Sequence, residues 1–417
     1  MSEVALTADR QTLPAGWRWA RLGEVAVLNP RRPTLRRANS ALTTFLPMSA
    51  VGVNGQGIEA SEARPYGDVA KGYSYFAEGD VLFAKITPCM QNGKHTIARG
   101  LRDGIGFGST EFHVVRPATD ITPEWILNFL RQPRVLKDAT AHFTGAVGQQ
   151  RVPAAYLANL NLPLPPLPEQ HRIVARLTEQ LAEVERAHAA VEAQQAAARA
   201  LPAAYLRDVF PRPGASLASG WRWVRLGEVA TVVNGVGFPV HLQGHHDYPH
   251  PFIKVSDMNA VGSAMVVSYA KHTVNDTLLQ EIGGRVYPIG TVIFPKVGGA
   301  VLTNKKRLLG VPSSFDNNVM GIVSSQDMVL SEWVYHWMLT VDLAALANIQ
   351  ALPSIRKSDI AALSIPLPPV PEQRRIVDRL AAQMAEVERA QAALDRTQAL
   401  VDTVPPRLLQ DALTGGF

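Results

Sequence analysis

Apolar side chains recur at alternating steps of three and four over two long stretches. Val174, Leu177, Leu181, Val184, His188, Val191, Gln195 and Ala198 keep that spacing, and so do Val377, Leu380, Met384, Val387, Gln391, Leu394, Gln398 and Val401. This is a heptad seam, the stripe by which one helix packs on another. Its polar members fall at matching places, His188 with Gln391 and Gln195 with Gln398, where they cost stability and fix register. His188 is read as such a register residue, not a metal ligand. Each stretch predicts a helix of ~30 residues, roughly 45 Å long. The Pro-rich lead-ins 163–168 and 366–371 cannot be helix interior. A proline is tolerated at the first helical position and a carboxylate favoured in the first turn, so the helices should start at Pro168-Glu169-Gln170 and Pro371-Glu372-Gln373. A PxxP docking ligand is the second reading, weaker because the same helix pattern follows both copies. Pro202 and Pro405-Pro406 predict a break, each followed by a short amphipathic helix.

Between these stretches the period falls to that of strands. Val81-Leu82-Phe83, 112–115, Val292-Ile293-Phe294 and 320–323 are β-branched or aromatic runs bounded by Gly and Pro. Segments 124–136 and 332–346, rich in Trp and Leu, predict helices. Trp17 with Trp19 and Trp221 with Trp223 have period two, which predicts an extended segment packing the frame onto the globular part.

The chain also repeats itself. Residues 16–26 return as 220–230 with one change in eleven positions, and 162–191 return as 365–394 with 21 of 30 positions identical. The stretches between, 27–160 and 231–363, have nearly equal lengths of 134 and 133 residues but are only sporadically alike. A shared frame suggests one shared fold or partner; divergent inserts suggest two different things being read. The predicted fold is α+β: two α/β domains joined by two long antiparallel coiled-coil helices with pseudo-two-fold internal symmetry. A homodimeric coiled coil is the alternative pairing. The predicted segments are 1–160 and 220–363 for the domains, 161–210 and 364–417 for the helical spacers, and 211–219 for a linker.

At 417 residues with 47% hydrophobic content, the chain is long enough for two to three cored domains. No apolar run reaches the ~18 residues that span a bilayer. Residues 1–10 lack a basic-then-apolar leader pattern. A single cysteine, Cys89, excludes an internal disulfide and suits a reducing cytosol; it reads as a small buried hydrophobe. The net charge of +5 is unevenly placed: residues 16–160 carry 17 Lys+Arg against 11 Asp+Glu, residues 220–363 carry 11 against 10. The excess in the first insert is compatible with a polyanion.

No catalytic machinery is legible. The Gly-rich run 104–108 leads into a strand rather than a helix, which argues against a phosphate cradle. P-loop, HExxH, GxSxG and CxxC patterns are absent, and Asn29-Pro30-Arg31-Arg32 is not the motif of an adenine methyltransferase. His241, His245, His246 and His250 with Asp247 match no standard metal spacing and read as a solvated loop. Neither cofactor nor metal is expected. The inserts do offer polar loops beside strands. In the first, Lys85 and Thr87 lead to Gln91, Asn92 and Lys94; in the second, Lys296 leads to Asn304, Lys305, Lys306 and Arg307. Ser109, Thr110, Gln149, Gln150 and Arg151, with Lys254, Asn317, Asn318, Ser354, Arg356 and Lys357, complete the candidates for DNA contact. Amides pair with adenine edges, Lys and Arg with guanine, and cations hold phosphates. Singly each is an ordinary turn; recurrence at equivalent places shifts the balance.

Taken together, the chain resembles a specificity subunit of a type I restriction–modification system. The resemblance spans nearly the whole sequence. It rests on the tandem W-x-x-x-x-L-G-E-V frame (Trp17 to Val25, Trp221 to Val229), the run 83–94, Gly108-Ser109-Thr110-Glu111-Phe112, and the doubled P-L-P-P-x-P-E-Q-x-x-I-V lead into a long helix. It implies two target-recognition domains, each reading half of a split double-stranded DNA site, and antiparallel helices that set their spacing. It also implies two copies of a methyltransferase subunit docked on the frame, restriction subunits beside them, a cytoplasmic location, and no catalysis by the chain itself. The second insert has Gly298-Gly299 where the first has Thr87-Pro88. Two other classes compete: a coiled-coil scaffold with two ligand- or protein-binding domains, and a self-sufficient methyltransferase or nuclease, disfavoured by the missing motifs.

Overall fold

A computed structural model describes residues 12–53, 57–146, 148–262, 264–348 and 353–416; the segment 1–10 read for a leader pattern lies outside them. The chain divides into two compact units, Met1–Glu192 with Arg396–Phe417, and Ala193–Asp395.

The first unit holds two four-stranded sheets. One runs Ala26–Leu28, Phe112–Pro117, Val81–Ala84, His95–Ile97, all antiparallel neighbours. The other runs Glu62–Pro65, Leu42–Leu46, Ile105–Gly108, Ser74–Ala77, with the middle pair parallel. The second unit holds a five-stranded sheet in the order Ala230–Asn234, Val319–Ser324, Val292–Pro295, Arg307–Leu309, Val266–Val267, and a smaller one of three strands. The predicted strand runs all lie in the central, doubly buried strands, which is why they read as continuous apolar segments.

The predicted helices at the ends of the inserts are each split. Helix Pro123–Leu130, capped by the Thr122 hydroxyl accepting from Trp125 N, stops before Pro133 starts Pro133–Ala141. Ser331–Leu339 is followed by Leu343–Leu346, whose N-cap Asp342 accepts from Ala344 N. Proline and aspartate each offer a better helix start than interior, so one long helix becomes two short ones.

The repeated frame is a joint, built twice with the same bonds. Arg18–Arg21 pairs antiparallel with Asn161–Leu164, setting Trp19 opposite Pro163; Arg222–Arg225 pairs with Ser364–Leu367, setting Trp223 opposite Pro366. Trp17 stands edge-on to Trp125 at 5.6 Å between centroids, Trp221 to Trp333 at 5.5 Å. Trp125 Nε1 donates to the Pro163 carbonyl at 2.9 Å, and Trp333 Nε1 to that of Pro366 at 3.0 Å. The second tryptophan of each pair departs from the expected packing. Trp19 is 40% exposed, because Ala20 is the inward position of its strand, and Trp223 lends its Nε1 to the Ala215 carbonyl. The glycine of L-G-E-V is dictated by close approach: a Cβ on Gly23 would lie 3.2 Å from Ala158, and one on Gly227 3.3 Å from Ala361.

The PEQ glutamines complete the joint. Gln170 is fully buried; its Oε1 accepts from Thr122 N, and its Nε2 donates to the carbonyls of Asp120 and Pro165, all at 2.9 Å. Gln373 repeats this with Leu330 N and the carbonyls of Met328 and Pro368, again at 2.9 Å. One side chain thus ties the first turn of each long helix to the start of the helix closing the insert.

The long helices run Leu167–Val209 and Val370–Asp402. Pro202 lies inside the first, whereas the second ends before Val404–Thr414, which carries Pro405 and Pro406 near its start. A single proline removes one hydrogen bond and a helix continues past it; two in succession remove two. Ile173, Leu177, Val191 and Ala198 are buried and Val174, Leu181, Val184, His188 and Gln195 half-buried, so the seam stays inward while its flanks are exposed. In the second helix Val377, Leu380 and Val387 are buried, and Met384, Gln391 and Leu394 half-buried. The two helices run antiparallel. Within the first unit Gln398 Nε2 lies 2.7 Å from His188 Nδ1; within the second Gln195 Nε2 donates to Asp395 at 3.0 Å. The core of the first unit takes Val174, Leu177 and Leu181 together with Leu409, Ala412 and Leu413; that of the second takes Val377, Leu380 and Met384 together with Leu206, Val209 and Phe210.

Candidate nucleic-acid interface

Each unit has a lysine at the end of its central strand, held by the same backbone bonds. In the first, Lys85 N donates to the Glu111 carbonyl (2.9 Å), Val152 N to the Lys85 carbonyl (2.9 Å) and Thr87 N to that of Gln150 (3.1 Å), with Ile86 bridged to Arg151. In the second, Lys296 N donates to the Asn318 carbonyl (2.8 Å), Ile355 N to the Lys296 carbonyl (2.9 Å) and Gly298 N to that of Pro353 (2.8 Å), with Val297 bridged to Ser354. This bond pattern makes Lys85 equivalent to Lys296, Thr87 to Gly298, Glu111 to Asn318, Gln150 to Pro353 and Arg151 to Ser354.

The side chains on this common frame differ. Around Lys85, Arg151 grips Glu111 through Nε (2.8 Å) and Nη2 (2.7 Å), and its Nη1 donates to the Gln149 carbonyl (2.8 Å). The hydrogen bonds from Arg151 hold the Glu111 carboxyl below its usual range. Burial pulls the Lys85 ammonium down, with Glu111 opposing and Arg151 adding. His113 behind them lies 2.8 Å from the Val152 carbonyl and 3.1 Å from Asn29 Nδ2; burial lowers its pKa too. Around Lys296 the pair is absent. Its Nζ donates to Asn234 Oδ1 (2.9 Å), and Asn318 leans on Asp316. Burial lowers the Lys296 pKa, opposed by Asp316.

Of the other candidates, Thr87 donates to Gln91 Oε1 at 2.6 Å, Ser109 accepts from Glu111 N at 3.2 Å, and Asn92, Thr110 and Gln149 are exposed nearby in sequence. In the second unit Asn317, Arg356 and Lys357 are exposed, and Lys357 lines a cavity of ≈ 280 Å³ with Asn234, Arg285 and Tyr287. Lys254 is tied to Gln243 (2.7 Å) and Lys305 to Asn259 (2.6 Å).

Four candidates are corrected. Lys94 turns inward, its Nζ donating to the carbonyls of Val51 (3.0 Å) and Met48 (3.3 Å). Lys306 is 1% exposed; its Nζ donates to Asn304 Oδ1 and the Val341 carbonyl, and burial lowers its pKa to about 8. Asn304, in the left-handed region at φ 54°, also accepts from Leu343 N. Arg307 opens a strand and spends its guanidinium on the Lys306 and Gly262 carbonyls. These polar groups hold loops to the sheet; Lys306 and Arg307 are buried, and Lys94 and Asn304 half-buried with their polar atoms engaged. The Leu308-Leu309 pair that follows was the signal that the cationic run enters a strand. Glu111 was read only with Ser109 and Thr110 as a polar turn, and His113 and Asn29 were not singled out; the arginine that grips Glu111 lies forty residues further along the chain. No group of three or more His, Cys, Asp or Glu able to hold a metal occurs among the described residues, and no helix among them is long and apolar enough to cross a membrane.

Residues 14–191 and 218–393 each match the family described as the type I restriction modification DNA specificity domain. The chain belongs to this family. Its two matches begin just before the tryptophan frames and end inside the long helices, so each repeat is one family domain. The chain is 40% identical over 168 residues to the EcoAI specificity subunit of Escherichia coli, covering 40% of this chain and 28% of that protein. It is 39% identical over 163 residues to the EcoEI specificity subunit of the same organism, covering 39% and 27%. The matched segments thus span little more than a quarter of these curated relatives. Two solved structures are similar over the full length. One is a chain from work on complex assembly and conformational transition of the type I R-M system (25% identical, TM-score 0.77, 97% of this chain and 100% of that one). The other is the HsdS subunit from Thermoanaerobacter tengcongensis (25% identical, TM-score 0.69, 99% and 100%).

Proposed function

We propose that this chain is the non-catalytic specificity subunit of a type I restriction–modification complex, reading a bipartite, asymmetric double-stranded DNA target. Residues 1–160 and 220–363 act as the two target-recognition domains. The helical segments 161–210 and 364–417, joined to the second domain by 211–219, set the spacing. Two methyltransferase subunits dock on the duplicated frame, with restriction subunits added to them, in the cytoplasm. The observation that carries this reading is the pair of lysine sites: one backbone arrangement presents Glu111 and Arg151 in one unit, and Asn318 and Ser354 in the other. Two different half-sites need such a device, a shared platform with exchanged base-edge groups.

The test is a genome-wide map of methylated bases in cells carrying the chain with its cognate methyltransferase, against cells lacking the chain. A split, asymmetric motif that depends on the chain is expected. Stable co-purification with the methyltransferase but no chain-dependent motif would refute the reader role and favour the scaffold.

A further inference from the structure

We infer that Arg151 reads a guanine in one half of the target, with Glu111 as the residue that positions it; the inference rests on the reader role proposed above. Arginine has five N–H groups. Three are used at Arg151: Nε and Nη2 on Glu111, and Nη1 on the Gln149 carbonyl. One N–H on each terminal nitrogen is left. The guanidinium is planar, so when the Gln149 carbonyl takes the Nη1 hydrogen on the Cδ side, the two that remain are parallel and have the spacing that matches O6 and N7 of guanine.

The surroundings favour a base edge over a phosphate. The side chain is 40% exposed, so the head remains reachable. It is held in two directions, by the carboxylate and by the loop carbonyl, while its own backbone is bridged to Ile86 and Thr144. A fixed planar donor pair suits directional recognition. Phosphate capture draws chiefly on net charge, and here Glu111 cancels it at 2.7 Å. The equivalent place in the second unit supplies the internal contrast. Ser354 and Asn318 stand there on the same backbone bonds in place of the arginine and the glutamate, and the carboxylate beside them, Asp316, accepts from Asn318 rather than from a guanidinium. The two domains should therefore differ in their demand for guanine at this one step of the groove.

The full chain, co-expressed with its methyltransferase, is tested by mapping methylated bases across the host genome. Three forms are compared: wild type, Arg151→Ala, and the double substitution Glu111→Asn with Arg151→Ser. The double substitution installs the pair that the second unit already accommodates on this frame, and it removes both members of the Glu111–Arg151 ion pair together. Both variants are expected to relax one guanine position of one half-site by roughly ten- to hundredfold, with the other half-site and the spacer unchanged. Glu111→Gln alone should relax the same position less. Two results overturn the assignment while leaving the reader role standing: an unchanged motif, or methylation that falls at every site with each base preference kept, as a phosphate contact would give. A wild-type chain that directs no motif removes the reader role and the assignment with it.

Discussion

Gln170 is the side chain whose removal tests the joint most sharply. Replacing it with leucine keeps the volume and deletes three hydrogen bonds of 2.9 Å. Thr122 N–H and the Pro165 carbonyl would be left without partners in a buried place, at about 1–3 kcal/mol each. The Asp120 carbonyl belongs to an exposed residue and can turn to water. The loss should therefore be about 2–6 kcal/mol for the first unit, read as a lower urea midpoint with an unchanged slope. Gln373→Leu should cost the second unit a similar amount, since its three bonds are the same.

Gln170→Glu separates hydrogen bonding from mere filling of space. The carboxylate would still accept from Thr122 N but would face two carbonyl oxygens. Its pKa in the folded chain must then rise above that of the unfolded chain. The sign follows: the variant is least destabilised below the unfolded carboxyl pKa, and loses stability as pH rises through the folded one. Gln170→Leu should show no such added pH dependence. A leucine variant within about 0.5 kcal/mol of wild type, below the net worth of one ordinary hydrogen bond, or a glutamate variant that tracks it at every pH, would refute the reasoning.

His95 is fully buried, stacked on Phe83 at 4.1 Å, and its Nδ1 accepts from Ala84 N; burial lowers its pKa from 6.5 to about 3. Its contribution is complete above about pH 6.5 and is lost as pH falls toward 3, so wild type should lose about 2 kcal/mol relative to His95→Gln between pH 7.5 and 5 in denaturant titrations. Deleting one heptad from both long helices should shorten the spacer of the methylated motif and keep both half-sites; an unchanged spacer would sink the ruler role. Exchanging residues 231–363 for the insert of another family member should change one half-site in the same map, and a change in both would contradict modular reading.

The seam, the helix starts and the central strands were legible because each follows one periodicity or one steric rule. Leu177, Pro168 and Phe83 each sit where pattern alone places them. What was not legible depends on partners distant in sequence. Lys306 and Arg307 look like a solvent-facing cationic run, and only the carbonyls of Val341 and Gly262 reveal them as struts. Arg151 stands forty residues from the carboxylate that orients it, so its sequence neighbourhood carries no sign of a fixed guanidinium. Gln170 was read as part of a helix start, yet its three bonds reach backbone at 120, 122 and 165.

The two kinds of site also explain why one part of the sequence repeats and the rest does not. Beyond its strand pairing, the joint is fixed by side chains bonding to backbone: Trp125 to the Pro163 carbonyl, Gln170 to one amide and two carbonyls. Such bonds demand a particular residue type, so both copies need the same one. The lysine sites invert this. There the frame is backbone bonding to backbone, from Lys85 to Glu111 and Val152, and from Lys296 to Asn318 and Ile355. Any side chain can ride on it, whether Arg151 or Ser354, without disturbing the strand beneath. Identity at the joint and divergence at the lysine sites are thus two consequences of where side chains enter the hydrogen bonding, and the side chains of the lysine sites can change without rebuilding the helix start that the joint holds.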